Sequence, residues 1–248
     1  MCYSLAFLAH KAAIYEKRYA HLLQGKTPVS EQAWPVSYFL SGFSHPLLPL
    51  VTDKGIAFYR WGLIPTWTKD AAAAASLSKH TLNSVSETMF SKPSFRDAAK
   101  KQRGVLGISG FFEWREWAGQ KYPYFVHAKN NDLLSLACLT SVWTDVTTGE
   151  ETQSFCIVTT PANAMMSDIH NTRHRMPLIF SDKQEEESWI NSKIPPEEVN
   201  ALAKPCPEDL LSAHTVSKQA GNARANRNAP DTILETQYPE LPPLNNIT

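Results

Sequence analysis

The sequence predicts a single α+β domain built on a mostly antiparallel, barrel-like β-sheet flanked by helices, and three observations carry that prediction. Short apolar runs outnumber the stretches with helical periodicity, and the two kinds do not alternate strictly as a parallel α/β sheet would require. Proline, glycine and small polar residues punctuate those runs at turn-like spacing. No Gly/Ser-rich linker or internal repeat divides the 248 residues, and with 43% hydrophobic and 19% charged residues the chain can bury a large core. We assign residues 1–235 to the globular domain and 236–248 to a disordered tail, because its last ten residues hold Pro239, Pro242, Pro243 and the pair Asn245 and Asn246.

Taken in order, residues 11–24 place Ala, Ile, Tyr and Leu at helical spacing among charges, which predicts a helix ending at Gly25. Residues 47–51 and 56–64 are apolar runs bounded by Pro46, Gly55 and Pro65, with Pro49 inside the first, and predict strands. Residues 94–103 read as a short helix whose basic face carries Lys100, Lys101 and Arg103. Strands follow over 105–114, 122–127 and 133–143, with hairpin turns at 118–120 and 147–149, and then over 154–160. A helix is predicted over 161–169, with Pro161 in its first turn and Thr160 as its cap. Residues 181–191 and 195–203 predict two acidic surface helices, each opening on Asp or Glu as the helix dipole favours.

Composition excludes several function classes. Lys plus Arg (24) balances Asp plus Glu (24), so no global field draws the protein to nucleic acid or membrane, and any nucleic-acid site must be a local patch. Cys2, Cys138, Cys156 and Cys206 are far apart and form no CxxC pair, a usage that suits a reducing cytoplasm, and Cys138, Cys156 and Cys206 read as small buried hydrophobes. No apolar run approaches the roughly 20 residues of a membrane span, and no basic residue precedes the apolar stretch 5–13 as in a signal peptide. A cytoplasmic protein without membrane partners is expected. Phosphate-loop, dinucleotide and HExxH motifs are absent. His170 and His174 have the spacing of helical metal ligands, but Met176-Pro177 interrupts a helix there and no third ligand completes the set, so neither metal nor cofactor is expected.

Cys2 is the most informative position. Removal of Met1 would leave an α-amine and a thiol on adjacent carbons. The α-amine titrates near 8 against about 10.4 for lysine, so roughly a tenth of it is free base at pH 7. It can attack an aldehyde to form a Schiff base. The thiol then closes on the imine carbon and converts a reversible imine into a durable thiazolidine. A second-position cysteine alone is weak evidence, and other residues must support the chemistry.

Those residues occur in order: Arg60-Trp61-Gly62-Leu63-Ile64-Pro65-Thr66-Trp67, Asn83 with Glu87-Thr88, Ser94-Phe95-Arg96, Gly110-Phe111-Phe112-Glu113-Trp114, Asp168-Ile169-His170, Arg175-Met176-Pro177 and Val216-Ser217-Lys218. The series resembles the SOS response-associated peptidase (SRAP) family of abasic-site-processing proteins, from Cys2 to about Asn228. The resemblance implies an abasic site in single-stranded DNA as substrate, its aldehyde captured by Cys2, in a monomer that is nucleoid-associated when bound to DNA. It implies that Glu113 is an acid/base that helps open the sugar and reverse the crosslink, that Asn83 hydrogen-bonds the adduct, and that His170 moves protons or stabilises the opened sugar. On its own, Glu113 reads as a solvent-facing strand carboxylate, since Phe112 and Trp114 point the other way. His174 can occupy the histidine's place, although Asp168-Ile169 favours His170. Trp67 is implied near the lesion and Arg175 on a phosphate, whereas Trp61 reads as core.

Two departures qualify the transfer. The family pattern M-C-G-R reads Met1-Cys2-Tyr3-Ser4 here, and N-A-R-[AS]-E-T reads Asn83-Ser84-Val85-Ser86-Glu87-Thr88, so two arginines are missing. Arg173, Lys92, Lys100 and Arg224 are the candidate replacements. Two other functions compete with DNA crosslinking: a thiol peptidase using Cys2, Glu113 and His170, with self-removal of Met1 as its natural reaction, and a non-catalytic single-strand-binding module.

Overall fold

The computed structural model describes residues 2–9, 12–23, 34 and 36–245. Among these the chain forms, in order, β1 (Ser4–Phe7), α1 (Ala12–Arg18), β2 (Ser37–Ser41), β3 (Leu47–Thr52), β4 (Gly55–Trp61), α2 (Ala71–Ser78), β5 (Asn83–Val85), α3 (Arg96–Lys101), β6 (Arg103–Ile108) and β7 (Gly110–Trp117). It continues with β8 (Gln120–Ala128), β9 (Leu134–Thr144), β10 (Glu151–Pro161), α4 (Ala164–Ile169), β11 (Arg175–Pro177), α5 (Lys183–Ile190), α6 (Pro196–Leu202) and β12 (Leu211–Thr215).

Five strands close into a barrel in the order β10-β4-β3-β6-β9, and the long β9–β10 hairpin, Glu151 opposite Thr144 through Ile157 opposite Cys138, seals it. Only the β10–β4 seam of the barrel is parallel. Past the seam, the C-terminal half of β10 carries β5 in parallel on one edge and β11 antiparallel on the other. The second sheet is antiparallel, in the order β12-β8-β7-β1-β2. The α+β class and the barrel-like, mostly antiparallel sheet therefore agree with the sequence reading.

The main core is formed by barrel-facing side chains, including the fully buried Leu48, Leu50, Trp61, Val105, Leu139 and Phe155. Trp61 is core, as expected, and its indole Nε1 donates to the Leu82 carbonyl at 2.8 Å. A smaller core of Ala6, Phe39, Phe112, Phe125, Val216 and Ala220 covers the other face of the second sheet. Both faces of β7 are thus buried, which matters for Glu113.

Several boundaries differ from expectation; Arg103, expected on the basic face of a helix over 94–103, lies buried at the start of β6, and β4 ends at Trp61 rather than Ile64. The strand predicted over 105–114 is two strands in different sheets, broken at Ser109. The Ser109 N–H donates to the Ala6 carbonyl at 3.0 Å, and its hydroxyl accepts from the Leu8 N–H at 2.9 Å. Glycines flank the break because a Cβ on Gly107 would collide with Tyr19 and one on Gly110 with the Phe125 ring. The helix predicted from Pro161 starts at Ala164 instead. Pro161 ends β10 opposite Arg175, and Asn163 supplies the cap, accepting from the Met166 N–H at 2.9 Å. The first predicted helix spans Ala12–Arg18, while Lys11 and its expected stop at Gly25 lie outside the described residues. In the segment expected as a tail, Arg115 donates to the Pro242 carbonyl at 2.6 Å, Tyr122 to Glu240 at 3.0 Å, and Asn245 to Asp168 at 2.7 Å.

Candidate active site

The site is built where the N-terminus meets β7. Because β1 pairs with β7 (Leu5 opposite Phe111), the residues before β1 run toward the Glu113 end of the sheet. Cys2 is fully buried there among core residues. Burial pushes its thiol pKa far up, and the negative charge of Glu113 acts in the same direction. The thiol is therefore protonated at neutral pH.

Strand alternation holds at β7. Phe112 lies in the smaller core with Trp114 packed against it, while Phe111 points into the main one. Glu113, on the Phe111 side, is only 4% exposed. The solvent-facing reading of Glu113 is thus overturned, because the fold covers both faces of the sheet. Desolvation raises its carboxyl to about 7, so it is both an available acid and an available base at neutral pH.

His170 ends α4, and its Nε2 stands 4.0 Å from Oε2 of Glu113. Its Nδ1 is 2.9 Å from the Arg175 carbonyl oxygen. Burial lowers its pKa to about 4, so the ring is neutral at pH 7. The neutral ring places its proton on Nδ1, where it donates to that carbonyl, and turns the Nε2 lone pair toward Glu113. His174 is exposed, in a left-handed turn at φ 50°, so the structure sets His170 and not His174 against the carboxyl.

Glu113 and His170 open into a cleft of about 440 Å³ whose walls include Tyr3, Phe43, Trp114, Lys121 and Arg173. Of the candidate replacements for the missing arginines, Arg173 lies in this cleft.

Asn83 opens β5, opposite Ile157 of β10. Both of its amide atoms are buried without a hydrogen-bond partner among the described residues. An unpaired buried amide costs about 1–3 kcal/mol per group, so Asn83 is a strong candidate to receive a substrate hydrogen bond.

The two residues expected to hold DNA sit elsewhere. Trp67 is 49% exposed, donates to the Pro93 carbonyl at 3.2 Å, and lines a separate, smaller depression with Pro65 and Ser94. Arg175 forks onto the Glu87 carboxylate, its Nη2 2.9 Å from Oε2, and also donates to the Thr159 carbonyl at 2.6 Å. That guanidinium pulls the Glu87 carboxyl down to about 2. The structure thus joins Cys2, Glu113 and His170 at one place, and gives Arg175 an internal anion. Sequence reasoning missed the Tyr3 and Phe43 wall, because no motif marks it.

Comparison with known proteins places this architecture. The profile of the SOS response associated peptidase (SRAP) family matches residues 1–223. The abasic site processing protein YoqW of Bacillus subtilis (strain 168) is 32% identical over 195 residues, covering 77% of this chain and 82% of that protein. The abasic site processing protein HMCES of Gallus gallus is 30% identical over 193 residues, covering 70% of this chain and 56% of its own length. A crystal structure of a protein from Bacteroides thetaiotaomicron superposes with a TM-score of 0.82 at 30% identity, over 95% of this chain and 100% of the other. With a family match over most of its length and a relative above 30% identity, the chain belongs to the SOS response-associated peptidase (SRAP) family.

Proposed function

We propose that this protein processes abasic sites in single-stranded DNA by covalent capture, with Cys2 as nucleophile once Met1 has been removed. The observation that carries the reading is that Glu113, its carboxyl raised to about 7 by burial, lines one cleft with His170 and acts electrostatically on the buried Cys2 beside it. The named activity of the curated relatives points the same way.

The α-amine adds to the C1 aldehyde of the ring-opened sugar, and loss of water gives an imine. The Cys2 sulfur then bonds to the imine carbon, and the thiol proton ends on the ring nitrogen. Aldehyde and aminothiol thus yield thiazolidine and one water. Glu113 in its protonated form assists departure of water, and its carboxylate form accepts the thiol proton. That second task is needed because burial keeps the thiol neutral. His170 offers a neutral Nε2 to hold or pass a proton beside Glu113, and Asn83 offers an unpaired amide to the adduct.

A thiol peptidase requires a thiolate, and burial together with the charge of Glu113 disfavours one at Cys2. The test uses Met1-processed protein, confirmed by mass, with an oligonucleotide carrying one abasic site on a denaturing gel. A shifted band that is lost in Cys2→Ala and after N-terminal acetylation supports capture through the amine. No band from processed wild type sinks it.

A further inference from the structure

We propose that Tyr3 and Phe43 form a stacking shelf for a nucleobase, the one that flanks the abasic residue on the strand held in the cleft. The inference rests on the reading of the cleft as a DNA site and adds a binding subsite to it.

Phe43 is 64% exposed, although an aromatic ring of this size normally buries most of its surface. It stacks on Tyr3 with ring centroids 5.2 Å apart and planes inclined by 28°. Both rings line the cleft that contains Glu113 and His170. Tyr3 is half-buried and supports the more exposed ring, which offers solvent a planar apolar surface.

The loop that carries Phe43 is rigidly held, so the exposed ring is preorganised. The Gly42 N–H donates to the Tyr3 carbonyl at 2.8 Å, which ties the loop to the strand next to Cys2. The Ser44 hydroxyl donates to the Ser41 carbonyl at 2.7 Å, and His45 Nδ1 lies 2.7 Å from the Trp61 carbonyl. Gly42 packs so close to Trp61 that a Cβ would lie 3.1 Å from the indole. Holding an aromatic group in place before binding lowers the ordering cost of association.

The surroundings select a base from other planar groups. Arg173 and Lys121 line the same cleft and offer two cationic contacts to a phosphodiester chain, with Glu116 as an exposed carboxylate on the same wall. An abasic residue has no base of its own to stack. A protein that draws its sugar down to Glu113 must unstack the neighbouring base, and an aromatic face restores that interaction without reading sequence.

The test removes each stacking partner in turn. A labelled, unmodified single-stranded oligonucleotide is titrated against wild type, Phe43→Ala, Phe43→Leu and Phe43→Trp, with thermal melting as a check on folding. Capture rates are then measured on a strand with one abasic residue, and on a strand whose flanking residues also lack bases. Phe43→Ala and Phe43→Leu are expected to weaken binding and slow capture about tenfold, while Phe43→Trp retains wild-type behaviour. The Ala variant and wild type should become equal on the strand without flanking bases, which separates stacking from general loss of apolar surface. Equal binding by wild type and Phe43→Ala, a Phe43→Leu variant as good as Phe43→Trp, or no binding to the unmodified strand overturns the shelf. Because the titration forms no covalent bond, a protein that binds through Phe43 but never crosslinks would keep the shelf and defeat the capture chemistry.

Discussion

A carboxyl that titrates near 7 is a residue-scale device, and it costs stability. The folded-state value of Glu113 lies above its ordinary 4.5, so the folded form binds the proton more tightly than the unfolded chain. Its contribution is fully present below about 4.5 and is lost as pH rises through about 7. Glu113→Gln, which keeps the shape without the charge, is therefore expected to be more stable than wild type at pH 8, by up to about 3 kcal/mol. The gap should narrow as pH falls toward 4.5, and melting curves across that range check it. The same variant should slow crosslink formation and reversal, and equal time courses would remove Glu113 from the mechanism. A second residue-scale prediction concerns Glu87, whose carboxylate already occupies the Arg175 fork. If Arg175 also serves DNA, Glu87→Gln should tighten single-strand binding and steepen its logarithmic salt dependence by about 0.7, the value of one phosphate contact. An unchanged slope would mean that Arg175 is structural. That Cys2, Glu113 and His170 belong to one site was an expectation drawn from the family resemblance of their short motifs, and the structure sets His170 Nε2 4.0 Å from Glu113 with Cys2 within reach of its charge. The burial of Glu113 was not legible, because alternation along one strand cannot say whether its second face will be covered by residues far away in the sequence, such as Cys2 and His170.

Elements were legible where period and punctuation agree. β3, β8, β9 and β10 fall on the predicted apolar runs, and the hairpin turn between β7 and β8 falls on Ala118 and Gly119, whose φ values of 48° and 73° suit a tight turn. The short strands β1, β2, β5, β11 and β12 escaped. They gain their order from pairing with distant strands, as β5 does with β10, and local pattern does not record that. The break at Ser109 escaped for a related reason, since an apolar run looks the same whether it stays in one sheet or crosses to another. The glycines around the break yield a test. Gly110→Ala drives a methyl group into the Phe125 ring and should cost about 1–3 kcal/mol, read as a lower melting temperature. Gly119→Ala, with nothing within 4 Å of its Cβ, meets only the strain of positive φ and should cost about 1 kcal/mol. Equal losses at the two positions would show that the crossing from β6 to β7 tolerates an extra methyl.

At the scale of the whole molecule, charge sets how DNA can be held. The 24 basic residues are matched by 24 acidic ones, so no long-range field concentrates a polyanion at the cleft. Several arginines are also committed internally: Arg18 to Glu186, Arg103 to the Trp189 and Asn191 carbonyls, and Arg115 to the Pro242 carbonyl. Arg173 and Lys121 are the basic side chains lining the cleft among the described residues. Two phosphate contacts on a single strand give a logarithmic salt slope of about −1.4, so a tenfold rise in salt should weaken binding by Cys2→Ala about 25-fold. Wild-type protein given time at low salt to capture an abasic strand should keep that strand after the same salt jump, because the thiazolidine bond is indifferent to counterions. Anisotropy on Cys2→Ala and a denaturing gel on wild type measure the two halves. A slope steeper than about −3 would require a longer basic groove than the cleft contains. A wild-type complex that dissociates with salt as readily as Cys2→Ala would mean that weak electrostatics alone hold the DNA, and that the chemistry assigned to Cys2 does not occur.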